Sequence, residues 1–195
     1  MLEAQFQSPL GHRAEPSSTS IAMHEISSRG AIDLRGLSTD KKFMAAAKSV
    51  LGFDLPKTPR TSNAWGDVKA LWLSPDQWLV LCPRDKTAAL LESLNAALIK
   101  IYSLCVDVSD MRAIIRLTGE GVHEILMKGC SLDLLSDEYA PGTVRRVRFA
   151  EIAALINIVE DHTIELYMFV SYAEYAWEFL LKAARKGAEV KLFRA

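Results

Sequence analysis

The residues best placed to do chemistry lie in one short stretch. Asp107, Ser109 and Asp110 sit in and just after the run Cys105–Val108, which alternates apolar and polar side chains as a half-buried strand does. Two carboxylates flanking a hydroxyl at a strand end have the composition of an acid–base or amine-binding site. They also have the composition of a polar turn, because short polar side chains hydrogen-bond nearby backbone and bend the chain. No histidine or lysine stands close by in the sequence to complete a pair, which favours the turn. Cys130, beside Gly129 at the end of an expected helix, is a weak nucleophile candidate. A helix C-terminus favours cations and raises a thiol's pKa, so a buried structural thiol fits better. Arg145, Arg146 and Arg148 form a basic stripe that suits an acidic partner or a phosphate, although a solvated strand face is the commoner use of such a stripe. Trp65, Trp72, Trp78 and Trp177 are too dispersed for a stacking platform. Trp72 and Trp78 are placed to pack across a hairpin, and Trp65 to anchor an interface. Gly119-Glu120-Gly121 lacks the further glycines and the lysine of a phosphate loop.

Composition narrows the class. The chain has 195 residues, 50% of them hydrophobic and 24% charged, which is ordinary globular usage. A formal net charge of -1 gives no field for holding a nucleic acid or an anionic membrane. No apolar run reaches the roughly 18 residues of a spanning helix, and the N-terminal stretch does not read as a secretory signal. Cys82, Cys105 and Cys130 lack CxxC spacing, and His12, His24, His123 and His162 are scattered, so no metal-ligand set is expected. Three reduced thiols imply a cytoplasmic protein. No residue of the chain is assigned a catalytic, cofactor-binding or metal-binding role.

The elements around these residues follow from periodicity and punctuation. Residues 1–20 are polar, with Pro9, Gly11, Pro16 and a serine–threonine run, and are expected to form a flexible arm. Leu2, Phe6 and Leu10 recur at helical spacing, which suggests an arm that orders on a partner. Its deletion is expected to leave the domain's unfolding nearly unchanged. Ile21–Leu34 predicts one or two strands broken near Ser28-Arg29-Gly30. A helix is expected from about Ser38 to Leu51, stopped by Gly52. Strands Val68–Leu73 and Trp78–Cys82 are joined by Ser74-Pro75-Asp76-Gln77, a hairpin signal. Asp85 is expected to cap the next helix, which runs to about Lys100. After Cys105–Val108 come a strand to Leu117, a helix carrying Val122, Ile125 and Leu126, and a left-handed stop at Gly129. Val144–Ala150, Ile152–Val159 and Ile164–Val170 read as strands. Ser171 and Glu174 have capping-box spacing for a last helix that faces inward through Tyr175, Ala176, Phe179, Leu180 and Ala183. Gly187 ends it, and Val190–Phe193 is expected as an edge strand.

This order repeats at an offset of roughly 80–90 residues. Leu34-Arg35-Gly36, helix, Phe53-Asp54-Leu55, hairpin, helix returns as Leu117-Thr118-Gly119, helix, Leu132-Asp133-Leu134, hairpin, helix. The expected fold is therefore α+β: duplicated β-α-β-β-α halves with mainly antiparallel sheets. It forms one two-lobed domain over 21–195, with lobes of about 21–102 and 103–195.

Five stretches together resemble the gamma subunit of heterotetrameric sarcosine oxidase. They are Val106-Asp107-Val108-Ser109-Asp110, Leu117-Thr118-Gly119, Lys128-Gly129-Cys130-Ser131-Leu132-Asp133-Leu134, Leu73-Ser74-Pro75-Asp76-Gln77-Trp78-Leu79, and Ser171-Tyr172-Ala173 followed by Trp177. The wider relatives are tetrahydrofolate-dependent aminomethyltransferases. The resemblance implies a folate-binding-domain type of fold and membership of a hetero-oligomer with alpha, beta and delta subunits. That complex oxidatively demethylates sarcosine to glycine and passes the one-carbon unit to tetrahydrofolate. It implies FAD, FMN, NAD and tetrahydrofolate in the partner subunits, none bound by this chain, whose role would be accessory and non-catalytic. Aminomethyltransferases carry an acidic pair entering the strand after the helix. Here that region is Glu151-Ile152-Ala153-Ala154-Leu155, with only Glu151 acidic. The rival readings are a stand-alone folate-binding protein of aminomethyltransferase type and a generic interaction module.

Overall fold

A computed structural model describes residues 7–190. The element order is strand–strand–helix–strand–strand–strand–helix, twice. The first round is β1 (Ala22–Glu25), β2 (Arg29–Arg35), α1 (Lys41–Leu51), β3 (Ser62–Trp65), β4 (Val68–Ser74), β5 (Gln77–Pro83) and α2 (Thr87–Leu98). The second is β6 (Leu104–Asp107), β7 (Arg112–Thr118), α3 (Val122–Met127), β8 (Val144–Phe149), β9 (Ile152–Glu160), β10 (Thr163–Phe169) and α4 (Ala173–Ala183). The fold is α+β, and the two rounds give five-stranded sheets of matching order, β3-β4-β5-β2-β6 and β8-β9-β10-β7-β1. The strand pairs with assigned register are all antiparallel.

The leading strands are exchanged. β1 pairs with β7 and β6 pairs with β2, so each sheet is completed by the first strand of the other round. The compact units consequently differ from two contiguous lobes split near residue 102. The described part of one comprises 7–27, 112–141 and 147–190, and the other comprises 28–111 and 142–146. Sequence order does not reveal this, because β1 and β6 are four-residue strands and either could pair with its chain neighbour.

In the second unit, α1 and α2 cover one sheet face with Phe43, Met44, Ala47, Leu94 and Leu98 over Ile32, Leu34, Trp78 and Val80. Asp40 caps α1, accepting from the amides of Lys42 and Phe43, and Gly52 takes the left-handed conformation (φ 82°) that ends it. Trp72 and Trp78 are cross-strand partners in the β4–β5 hairpin, and Trp78 also donates its indole N–H to Pro56 O at 2.8 Å. In the first unit, α3 and α4 cover Ile115, Leu117, Ile156, Ile164, Leu166 and Met168.

Several helix ends differ from expectation. Asp85 lies inside a 3₁₀ turn, Arg84–Lys86, and does not cap α2. Val170–Tyr172 is likewise a 3₁₀ turn, so Ser171 and Glu174 form no capping box. Glu174 instead accepts from Arg13 (2.5 Å). Tyr175 is exposed, and Trp177 takes the core position beside Ala176 and Leu180. α4 ends at Ala183, before Gly187. Beyond its first residue, the strand expected over Val190–Phe193 lies outside the described residues.

Gly129 is not a left-handed stop, since its φ is not positive. It is glycine because a Cβ there would collide with the ring of Phe149, which is wedged edge-on against Phe179 with centroids 5.1 Å apart. Gly129→Ala is therefore expected to lose about 1–3 kcal/mol, the usual effect of overpacking a core. An unchanged urea midpoint would refute this.

Residues 7–20 belong to the first unit. Leu10 is 1% exposed and joins its core, Thr19 bridges Arg185, and Arg13 pairs with Glu174 and Glu178. The expectation of a free arm fails here because a single leucine with flanking ion pairs anchors a segment whose composition reads as polar. Leu2 and Phe6 lie outside the described residues.

Candidate functional site

The Asp107–Asp110 turn serves the backbone. Asp107 Oδ1 accepts from Ser109 N (2.8 Å) and from Ser109 Oγ (2.5 Å), and Ser109 Oγ accepts from Ala31 N (3.0 Å). Asp110 pairs with Arg84. The group thus holds the chain between β6 and β7 and ties it to β2. The other sequence candidates are not drawn into it. Arg146 donates to Gln77 Oε1 (3.0 Å), while Arg148 pairs with Glu151 at the surface. Cys105 is pushed up to about 11 by burial and then by the charge of Asp33. Burial raises the Cys130 thiol too, against a backbone hydrogen bond from Leu132. Burial also raises that of Cys82. All three are protonated free thiols near neutrality, poor nucleophiles and poor ligands. Trp65 is exposed.

The concentrated polar chemistry lies elsewhere, on the face of the first sheet opposite α3 and α4. β10 alternates, with Ile164, Leu166 and Met168 toward the helices and Glu165 and Tyr167 on the other face. Register places Arg116 of β7 and Asn157 of β9 on either side of Glu165. The carboxylate, only 3% exposed, accepts from Arg116 Nη2 (2.6 Å), Asn157 Nδ2 (3.0 Å) and Tyr167 OH (2.5 Å). Burial alone would raise its pKa. The bonds from Tyr167, Arg116 and Asn157 and the Arg116 charge outweigh that and hold it below the usual glutamate range. Arg116 Nε and Asn157 Oδ1 are buried without a hydrogen-bond partner among the described residues.

Such a carboxylate is ionised near neutrality, so it has no proton to give as a general acid. With three donors on its two oxygens, it is also a weak base. The equivalent of the Glu165–Asn157 pair in the second unit's sheet is apolar, Leu79 with Leu71, and Asp33 stands where Arg116 does. The sequence reading missed the cluster. The available signal was an acid within Ile164–Phe169, where consecutive Leu166, Tyr167 and Met168 mean that both faces are buried and any charge needs partners.

Comparison with known proteins places the chain. The model of the sarcosine oxidase, gamma subunit family matches residues 35–186. The chain belongs to that family. It is 26% identical over 168 residues to the sarcosine oxidase subunit gamma of Corynebacterium sp. (strain U-96), covering 84% of this chain and 78% of that one. It is 25% identical over 185 residues to that of Corynebacterium sp. (strain P-1), covering 91% and 89%. Among solved structures, a chain of the heterotetrameric sarcosine oxidase of Corynebacterium sp. U-96 superposes with a TM-score of 0.84 at 23% identity, covering 92% of this chain and 94% of that one. The glycine cleavage system aminomethyltransferase T of Bartonella henselae gives 0.64 at 13% identity, over 82% of this chain and 45% of that one. The fold is thus of the gamma-subunit and aminomethyltransferase type. No helix among the described residues of this family member is long and apolar enough to cross a membrane.

Proposed function

We propose that the chain is a non-catalytic accessory subunit of a cytoplasmic sarcosine oxidase complex. In it, the chain stands with alpha, beta and delta subunits that carry FAD, FMN, NAD and tetrahydrofolate. The complex demethylates sarcosine oxidatively to glycine and passes the one-carbon unit to tetrahydrofolate. The observation that carries this reading is the family match over 35–186, together with a fold that covers 94% of a chain from a heterotetrameric enzyme. The polar groups support it. Asp107, Ser109 and Asp110 hold a turn, and Glu165 is enclosed by its own neighbours. Free thiols suit a reducing compartment. The stand-alone folate-binding reading is less favoured, because Glu151 has no acidic neighbour and pairs at the surface with Arg148.

The test is co-expression of the tagged chain with the alpha, beta and delta subunits. The chain alone should purify colourless and without sarcosine turnover, and the tagged chain should carry the coloured, active partners through size exclusion. Turnover or stoichiometric flavin on the isolated chain would overturn the non-catalytic assignment. Partners that elute separately would overturn the accessory one. Asp110→Asn in an assembled complex should leave turnover intact, since Asp110 only pairs with Arg84.

A further inference from the structure

The two units are duplicates, so equivalent positions can be compared directly, and one comparison is uneven. β1 lies in its sheet as β6 lies in the other: Ala22 opposes Thr118 where Leu104 opposes Arg35, so Met23 and Cys105 are equivalent. β10 and β5 each lead through a three-residue 3₁₀ turn into α4 and α2, so Glu178 and Glu92, each the sixth residue of its helix, are equivalent.

In the first unit, the space beside β1 and α4 is filled by residues 8–15. Ser8 bonds to Glu25 of β1, Glu15 lies 3.9 Å from His24, Arg13 pairs with Glu178 of α4 (2.8 Å), and Leu10 between them is buried. Met23 beneath is fully buried. In the second unit, the equivalent place is an open cleft of about 560 Å³, lined by Glu92, Ala96, Leu98, Ile101 and Cys105. Cys105 is only half-buried, and Glu92 has no ion-pair partner among the described residues. At its rim Ile99 is 80% exposed, and β6 beside it is an edge strand whose Leu104 and Val106, alternating with Cys105, are exposed on the other sheet face. The covered copy has Arg185, Ala22 and His24 where this one has Ile99, Leu104 and Val106. Single exposed apolar residues are ordinary, but an exposed isoleucine at the rim of an apolar cleft beside an edge strand is what proteins normally cover.

We infer that this α2–β6 cleft is the seat of a polypeptide arm from a partner subunit, carrying a large aliphatic residue for the cleft and a basic residue for Glu92. The first unit supplies the template: Leu10 fills the pocket while Arg13, three residues on, meets the equivalent glutamate. Charge complementarity and the apolar rim therefore specify the same kind of occupant. A second copy of this chain is a poorer fit, because its own arm of that chemistry is already used on its first unit. The inference rests on the accessory-subunit reading and adds where the partner is held.

The test uses the full chain co-expressed with the alpha, beta and delta subunits. A photo-reactive p-benzoylphenylalanine replacing Ala96 should cross-link to one of those subunits, at a peptide with an aliphatic and a basic residue a few positions apart. The double variant Glu92→Arg/Ile99→Asp changes only solvent-facing side chains, so its urea midpoint should match wild type. Its affinity for the partners should fall about tenfold or more, the scale of losing an interface anchor and its ion pair. Arg148→Glu, in the first unit, should bind as wild type does. If wild type and double variant assemble equally well, the cleft is overturned and the accessory reading stands. If wild type fails to assemble, both fall. A cross-link back to this chain or to a second copy of it overturns the partner arm.

Discussion

Replacing Glu165 by alanine is expected to destabilise the protein by about 3–5 kcal/mol, because three donors lose one buried acceptor. Tyr167 OH and Asn157 Nδ2 would be left in a dry sheet face, and Arg116 would keep its charge without a counter-ion. The value should fall toward the lower end, since the Arg116 side chain retains 31% exposure and solvent can compensate in part. Charge removal alone is a different experiment. Glu165→Gln keeps an acceptor for two donors and should lose less. The double variant Glu165→Leu/Arg116→Met, which leaves no unpaired charge, should recover much of what Glu165→Ala loses, because the desolvation of both ions disappears together. A double variant no more stable than the single one would refute this account of the cluster.

The same cluster sets a pH dependence. Glu165 has a folded pKa below its ordinary value of 4.5, so the folded state prefers the carboxylate. Its contribution is fully present above that value and is lost as pH falls through the lower folded one. The stability gap between wild type and Glu165→Gln should be constant near neutrality and shrink below pH 4.5. Urea titrations at several pH values measure it, and a gap that widens in acid would mean the carboxyl is held neutral instead.

What was legible in the sequence was what local rules decide. Proline in Ser74-Pro75-Asp76-Gln77 gave the β4–β5 hairpin, and Gly52 gave the end of α1. The repeat gave the matching sheets. What was not legible depends on residues far apart in the chain. Nothing local says that Ala22–Glu25 pairs 90-odd residues away with β7 rather than with its neighbour β2. Glu174 satisfies capping spacing, but Arg13 arrives from the other end of the sequence and takes its carboxylate. Glu165 looks like a solvated strand residue until the register sets Arg116 and Asn157 beside it. The Asp107–Asp110 turn, by contrast, follows the local rule for short polar side chains, and the structure shows it so.

Leu10→Ala is expected to destabilise the protein by about 2–5 kcal/mol, the range for truncating a leucine buried in a well-packed core. The sequence argues the reverse, since a polar, proline-containing terminus reads as removable without effect on the domain. The structure decides between them through the neighbours of Leu10. It shares a core with Met23, Trp177 and Leu180, and Arg13 and Ser8 on either side are tied to α4 and β1. Deleting residues 1–20 should therefore destabilise at least as much as Leu10→Ala. Arg13→Ala should do far less, because its ion pairs are part-exposed and water can largely replace them. Thermal and urea unfolding of the three variants separate the cases. If deletion and Leu10→Ala both left the transition in place, the segment would contribute nothing to the core and the first unit could not serve as the template for the α2–β6 cleft. If only the deletion mattered, the anchor would lie in the segment but not in Leu10. The expected order, deletion at least equal to Leu10→Ala and both well beyond Arg13→Ala, is the signature of one buried aliphatic anchor steered by an ion pair.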